Sequence, residues 1–199
     1  MSTQPPPKPA DAIDLDFTGV FRIEELRPEP APPVLKRPPE DIIIGARAVK
    51  KGDSFINMTR SRPARRVDPA KTTILLVEDD TTTRLILDVI CKKAGYQTRQ
   101  ADDAPSFIAA IQKKPLPDAV ILDVELPGNV SGFKILAKIR AHPILKTLPV
   151  IILTVHSEPA DLMQTVTLGT DAYLTKPAKA SSLLESLAAV LGSSAAAKA

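Results

Sequence analysis

Between Thr72 and Gly192 the chain repeats one unit five times: a short run of β-branched and aliphatic residues, then a longer amphipathic stretch. Parallel strands cannot be joined by a tight turn. They need a crossover, and a helix after each strand supplies it, so this alternation predicts strand–helix units around a parallel sheet. Strands are expected over 73–77, 96–101, 119–122, 149–153 and 172–174. The first helix is expected after Asp80, with Leu85, Ile86, Val89 and Ile90 on its apolar face, ending near Gly95. Further helices are expected over about 104–113, with Phe107, Ile108 and Ile111 inward, and over 132–141, stopped before Pro143. Two more are expected over 159–168 and 183–191. The fold class is α/β: a doubly wound, five-stranded parallel sheet of the flavodoxin-like (βα)5 kind. Aromatics are only 4% of residues and tryptophan is absent, so the core must be aliphatic, which suits buried parallel strands.

The first seventy residues have a different texture. They hold twelve of the twenty prolines, in clusters such as Pro5-Pro6-Pro7 and Pro28-Glu29-Pro30-Ala31-Pro32-Pro33, which favour extended chain over packed structure. Residues 1–70 are therefore expected to be a largely disordered extension, 71–192 the folded domain, and 193–199 a flexible tail. Two apolar stretches interrupt the extension. One runs from Ile13 to Phe17 with Val20, Phe21 and Ile23 nearby, and the other is Ile42-Ile43-Ile44. Each reads equally as a docking motif that orders on binding or as an apolar patch in a linker. Between Arg47 and Lys71 eight basic residues face two acidic ones, a local excess of six charges that suits a solvated linker better than a sequence-specific nucleic-acid reader.

Charge and cysteine content narrow the class. A net charge of +3 does not by itself argue for nucleic acid or an anionic membrane. Cys91, the single cysteine, has no internal disulfide partner and reads as a packing residue. No apolar run approaches the roughly 20 residues that span a bilayer, and the N-terminus lacks a signal-peptide pattern. A reducing cytoplasm is the expected compartment.

The chemistry-bearing residues fall where an open parallel sheet binds its ligands, just beyond the carboxyl ends of the strands. Glu78, Asp79 and Asp80 follow the first strand, Asp123 closes the third, Thr154 follows the fourth and Lys176 the fifth. Neighbouring carboxylates repel one another and are expected to hold a hard divalent cation. Mg²⁺ fits, because it takes a few carboxylates and completes its shell with water and phosphate oxygens.

The strings LLVEDD, VILDVELPG, VIILTVH and DAYLTKP, in this order and spacing, resemble the response-regulator receiver family of two-component signalling, chemotaxis regulators included, over about 120 residues. The resemblance implies that Asp123 is the phosphoacceptor. It also implies that Asp79, Asp80 and Asp123, with the backbone carbonyl of Glu125, hold Mg²⁺, Asp80 being the more direct ligand and Glu78 a bystander. Lys176 then contacts a phosphoryl oxygen, Thr154 and Tyr173 form a switch pair, and the Lys176–Pro177 bond is cis. Val155 stands where the family carries Ala or Gly, and the loop Gly128–Gly132 is one residue longer than usual. Both departures predict an altered phosphoryl lifetime.

Three function classes follow. The first is a phosphorylation-dependent switch that receives a phosphoryl group from a histidine kinase or a histidine phosphotransfer protein and acts on a downstream protein target, with room for a dimer. The second is a non-phosphorylated pseudo-receiver scaffold. The third is a phosphatase or transferase of another aspartate-nucleophile fold. Retention of the whole acidic, lysine and threonine set argues against the second. The third usually pairs its nucleophile with an acid as Asp-x-Asp, and here position 125 is Glu. No DNA-binding segment is expected after Gly192, so nucleic acid is not an expected partner.

Overall fold

The computed structural model describes residues 21–27, 43–45, 55–59, 68–155 and 159–192. Five parallel strands build the centre of the molecule: β3 (Thr73–Val77), β4 (Gln97–Ala101), β5 (Ala119–Asp123), β8 (Val150–Thr154) and β9 (Ala172–Thr175). Two more, β1 (Ile43–Gly45) and β2 (Phe55–Thr59), come from the N-terminal extension, and β6 (Glu125–Leu126) and β7 (Val130–Ser131) form a separate hairpin. Among the described residues the main sheet runs β1-β2-β9-β8-β5-β3-β4. Its parallel part has the doubly wound order, with the direction of winding reversing between β3 and β5. That reversal opens a crevice beyond the strands' carboxyl ends.

The helices are α1 (Thr81–Lys93), α2 (Ala104–Gln112), α3 (Gly132–Ala141), α4 (Pro159–Leu168) and α5 (Ala180–Leu191). β3, β5 and β8 are buried throughout, and successive side chains point to opposite faces. Leu75, Val77, Val120, Leu122, Val150 and Ile152 therefore pack with Phe107, Ile111, Ile135 and Leu136 of α2 and α3. Ile74, Leu76, Ile121, Ile151 and Leu153 face Leu87 and Cys91 of α1 and Leu183 and Leu187 of α5. Burial pushes the Cys91 thiol up to about 12, as befits a packing residue. A polar tie anchors the starts of β8 and β9. Arg140 donates to the carbonyls of Gly169 (2.7 Å) and Leu148 (2.8 Å) and to Asp171 Oδ2 (2.8 Å), and the same oxygen accepts from the Val150 amide at 2.8 Å.

One expectation is corrected. The α1 face is rotated from the predicted stripe: Leu85, Ile86 and Val89 are exposed, while Leu87, Asp88 and Cys91 are buried. Asp88 tolerates burial because Lys92 (2.8 Å) and the Thr98 hydroxyl (2.5 Å) donate to its two oxygens. Short pieces of the extension are among the described residues and meet the domain. β2 pairs antiparallel with β9, Ile56 opposite Tyr173, and the 3-10 turn Ile23–Leu26 packs on the domain. Ile13–Phe17, Val20, Ile42, most of the basic stretch and the 193–199 tail lie outside the described residues. No helix among the described residues is long and apolar enough to cross a membrane.

Candidate functional site

The site is assembled at the reversal point. β3 runs straight into Glu78 and Asp79, and β5 ends on Asp123 immediately beside it, because Val77 pairs with Leu122 in the parallel ladder. Glu78, Asp79 and Asp123 each offer a carboxylate oxygen, and these lie within 4.8 Å of one another. Glu78 and Asp123 are buried while Asp79 is exposed.

Lys176 enters from the far side, just past β9, and its peptide bond to Pro177 is cis. Its Nζ donates to Asp123 Oδ2 at 2.7 Å and to Glu78 Oε1 at 2.8 Å. Glu78 Oε2 is equally close to the ammonium but accepts no hydrogen bond. Burial raises the Glu78 and Asp123 carboxyls above their ordinary range, with the Lys176 ammonium opposing the shift at both. Burial works against the charge of Lys176 as well, but its bonds to Asp123 and Glu78 prevail and raise it. One ammonium therefore serves two buried carboxylates, with a third alongside. This excess of negative charge and hard oxygen suits a divalent cation.

Asp80 is placed differently from the expectation. Its Oδ1 accepts from the Thr83 amide at 2.7 Å and so caps the N-terminus of α1, an arrangement that lowers its carboxyl. The clustered acids are therefore Glu78, Asp79 and Asp123, with Glu78 inside the cluster and Asp80 turned to the helix. Sequence reading also missed Arg84, whose Nη1 donates to the carbonyls of Glu78 (2.6 Å) and Asp79 (3.1 Å) from the first turns of α1 and ties down the acidic loop.

The remaining residues flank the cluster. Thr154 is buried at the end of β8, one residue beyond Leu153, the partner of Asp123. Tyr173 is buried on β9 opposite Ile152. The Lys176 amide donates to the Thr154 carbonyl at 2.7 Å, which links the threonine strand to the lysine loop. The Glu125 amide approaches Asp123 Oδ1 at 3.4 Å, a long contact. Val155 is 62% exposed, and His156 lies outside the described residues. The loop after Asp123 forms the β6–β7 hairpin, turned by Gly128 (φ 75°) and Asn129 (φ 59°).

A sheet reversal flanked by an acidic cluster, with a lysine reaching in just past β9, defines a doubly wound α/β domain with an ionic site at its strand ends. The family model of the response regulator receiver domain matches residues 74–188, and the chain belongs to that family. It is 38% identical over 118 residues to the transcriptional regulatory protein GltR of Pseudomonas aeruginosa, covering 59% of this chain and 48% of the relative. It is 30% identical to the phosphate regulon transcriptional regulatory protein PhoB of Escherichia coli, covering 59% and 51%. The chain thus spans about half the length of these curated relatives. Among solved structures, the receiver domain of a sensor histidine kinase from Pseudomonas aeruginosa, with a magnesium ion coordinated in its active-site cleft, superposes with a TM-score of 0.55 at 26% identity, covering 61% of this chain and 98% of that one. The family places the chain in two-component signalling, and the five-stranded parallel fold is that of its structural neighbours.

Proposed function

We propose that this protein is a phosphorylation-dependent switch that accepts a phosphoryl group on Asp123 from a histidine kinase or a histidine phosphotransfer protein and acts through protein contacts. The observation that carries the reading is the asymmetry of the Asp123 carboxylate. Oδ2 is held by Lys176 at 2.7 Å, while Oδ1 has the longer contact from the Glu125 amide and is the oxygen placed to act as nucleophile. Oδ1 bonds to phosphorus as the phosphorus–nitrogen bond of the donor phosphoimidazole breaks, and the electron pair leaves on the ring nitrogen. Lys176 then faces the phosphoryl oxygens with a fixed positive charge, and Thr154, at the neighbouring strand end, supplies a hydroxyl donor. Tyr173 lies on β9 between this threonine strand and the sheet edge, in position to relay the change outward.

Glu78, Asp79 and Asp123 are the side chains that would hold Mg²⁺, with the Glu125 carbonyl nearby. The ion, when bound, would neutralise the carboxylates and the charge on the transferred group. Asp79 takes the direct role that the sequence reading gave to Asp80, because Asp80 is committed to the cap of α1. The test is incubation with Mg²⁺ and acetyl phosphate followed by intact mass. The expected result is a phosphate adduct that disappears in Asp123→Ala or after chelation. Absence of an adduct on the unaltered chain, or its persistence in Asp123→Ala, would refute the proposal.

A further inference from the structure

The segment 21–27 lies more than forty residues before the domain begins, yet it contributes to the domain's core. Phe21 is 2% exposed and Leu26 fully buried. The Phe21 ring meets Phe107 of α2 edge-on, with centroids 5.4 Å apart and planes at 79°. The 3-10 turn between the two residues packs on α3 and β7, and Leu26 belongs to the same apolar cluster as Leu126 and Val130 of the hairpin. Glu25 forms an ion pair with Lys138 of α3, and Lys134 on the same helix adds attraction. Arg22, Ile23 and Glu24 stay exposed. An apolar groove with a cationic rim is thus filled by an aromatic and a leucine five residues apart with two acids between them, of which Glu25 meets the rim. That is the amphipathic pattern of a docked peptide, supplied here in cis.

The groove shares a wall with the candidate site. β7 is the second strand of the hairpin whose first strand begins at Glu125, two residues after Asp123. The hairpin leads into α3 at Gly132, whose amide donates back to the Val124 carbonyl at 2.7 Å. A segment that immobilises β7 and α3 therefore immobilises the backbone around Glu125.

We infer that Phe21–Leu26 is an intrachain latch that docks in the α2–α3 groove, fixes the β6–β7 hairpin and thereby strengthens divalent-cation binding at the acidic cluster. The coupling part rests on the metal reading given above, whereas the docking part does not. Linkage makes the coupling reciprocal: a cation bound at the cluster tightens the latch by the same factor by which the latch tightens the cation.

The Arg22–Ile23 bond lies inside the latch, so cleavage by an arginine-specific protease reports its opening. The full-length chain is digested without cation, and release of the fragment 1–22 is followed by mass spectrometry. Mn²⁺ affinity is measured separately by electron paramagnetic resonance. Phe21→Ala/Leu26→Ala should be cut about tenfold faster than the unaltered chain, as expected for a segment whose opening limits cleavage. Glu25→Lys and Lys138→Glu leave the core untouched and should each speed cleavage, while the double exchange restores protection. The opened variants should bind Mn²⁺ about threefold more weakly, and Mn²⁺ should slow cleavage of the unaltered chain by a matching factor. Equal cleavage of the unaltered chain and the double alanine variant would overturn the docking. Faster cleavage with unchanged Mn²⁺ affinity would overturn the coupling. Failure of the unaltered chain to bind Mn²⁺ would overturn the metal reading and the coupling with it, while the protease comparison still decides the docking.

Discussion

Gly132→Ala tests how tightly the phosphoacceptor strand is built into its surroundings. A Cβ at position 132 would lie 2.0 Å from the Asp123 carbonyl oxygen and 3.0 Å from both the Asp123 carbonyl carbon and Val124 Cα. A carbon next to a carbonyl oxygen needs roughly 3.3 Å, so the two backbones must part by about 1.3 Å. That separation disrupts the Gly132–Val124 hydrogen bond of 2.7 Å. The lost bond costs about 1 kcal/mol and the overpacking about 1–3 kcal/mol, partly offset by the roughly 0.5–1 kcal/mol that alanine gains over glycine in a helix. The net loss is about 2 kcal/mol, or roughly 8 °C in Tm for a domain of this size. Gly128→Ala is the control: nothing lies within 4 Å of its Cβ, and only its φ of 75° is unfavourable, a cost of about 1 kcal/mol. Far-UV circular dichroism melts suit a chain without tryptophan. If Gly132→Ala melts with the unaltered protein, or no lower than Gly128→Ala, the claim that α3 abuts the Asp123 backbone is wrong.

Two further outcomes follow from polar groups away from the site. Asp171→Ala strands the guanidinium of Arg140 and the Val150 amide in a buried setting and should destabilise by about 3–5 kcal/mol, while Arg140→Met/Asp171→Leu recovers much of that loss; urea unfolding of the three proteins measures both. His142 accepts from the Ile144 (3.1 Å) and Leu145 (3.2 Å) amides through Nδ1, and burial lowers its ionisation below the ordinary value. The neutral ring is the folded form, so its contribution is fully present above about pH 6.5 and is lost as pH falls through the lowered folded value. A His142→Asn chain should therefore approach the unaltered protein in Tm between pH 7.5 and 5, and a gap that stays constant would contradict this.

The strand ends were legible because a parallel sheet converts sequence order into position: whatever follows a strand's apolar run arrives at one edge. That brought Asp123, Thr154 and Lys176 to the right strand ends without any structure. Which of three consecutive acids enters the cluster is a finer question, decided by where β3 stops and α1 starts. The signal was present in Asp80-Thr81-Thr82-Thr83, since an aspartate three residues before an amide in a helix's first turn is a capping pattern, and an acid used as a cap is withdrawn from the site. The α1 face misled for a related reason. Leu85, Ile86 and Val89 outweigh Leu87 and Cys91 in hydrophobicity, and contacts such as those from Lys92 and Thr98 let Asp88 turn inward instead. Thr98 is on another strand, so no local pattern carries that information.

The N-terminal extension shows the same limit at longer range. Proline clusters report that a chain will not fold on itself, and composition supports that reading over most of residues 1–70. Composition does not report whether a distant groove matches a short apolar motif inside such a chain. Phe21 and Leu26 satisfy no helical or strand period of their own, and they become buried only because α2 and α3 leave Phe107 and the hairpin's Leu126 and Val130 uncovered on one side. Phe21 was visible as part of an apolar stretch, while Leu26 and the groove were not, because docking depends on complementarity between two segments, a property of neither alone. A receiver that closes its own groove in this way presents a partner with a surface different from that of the bare domain. Any protein that uses the α2–α3 face must first displace Phe21 and Leu26, so its apparent affinity is reduced by the fraction of molecules in which the groove is open.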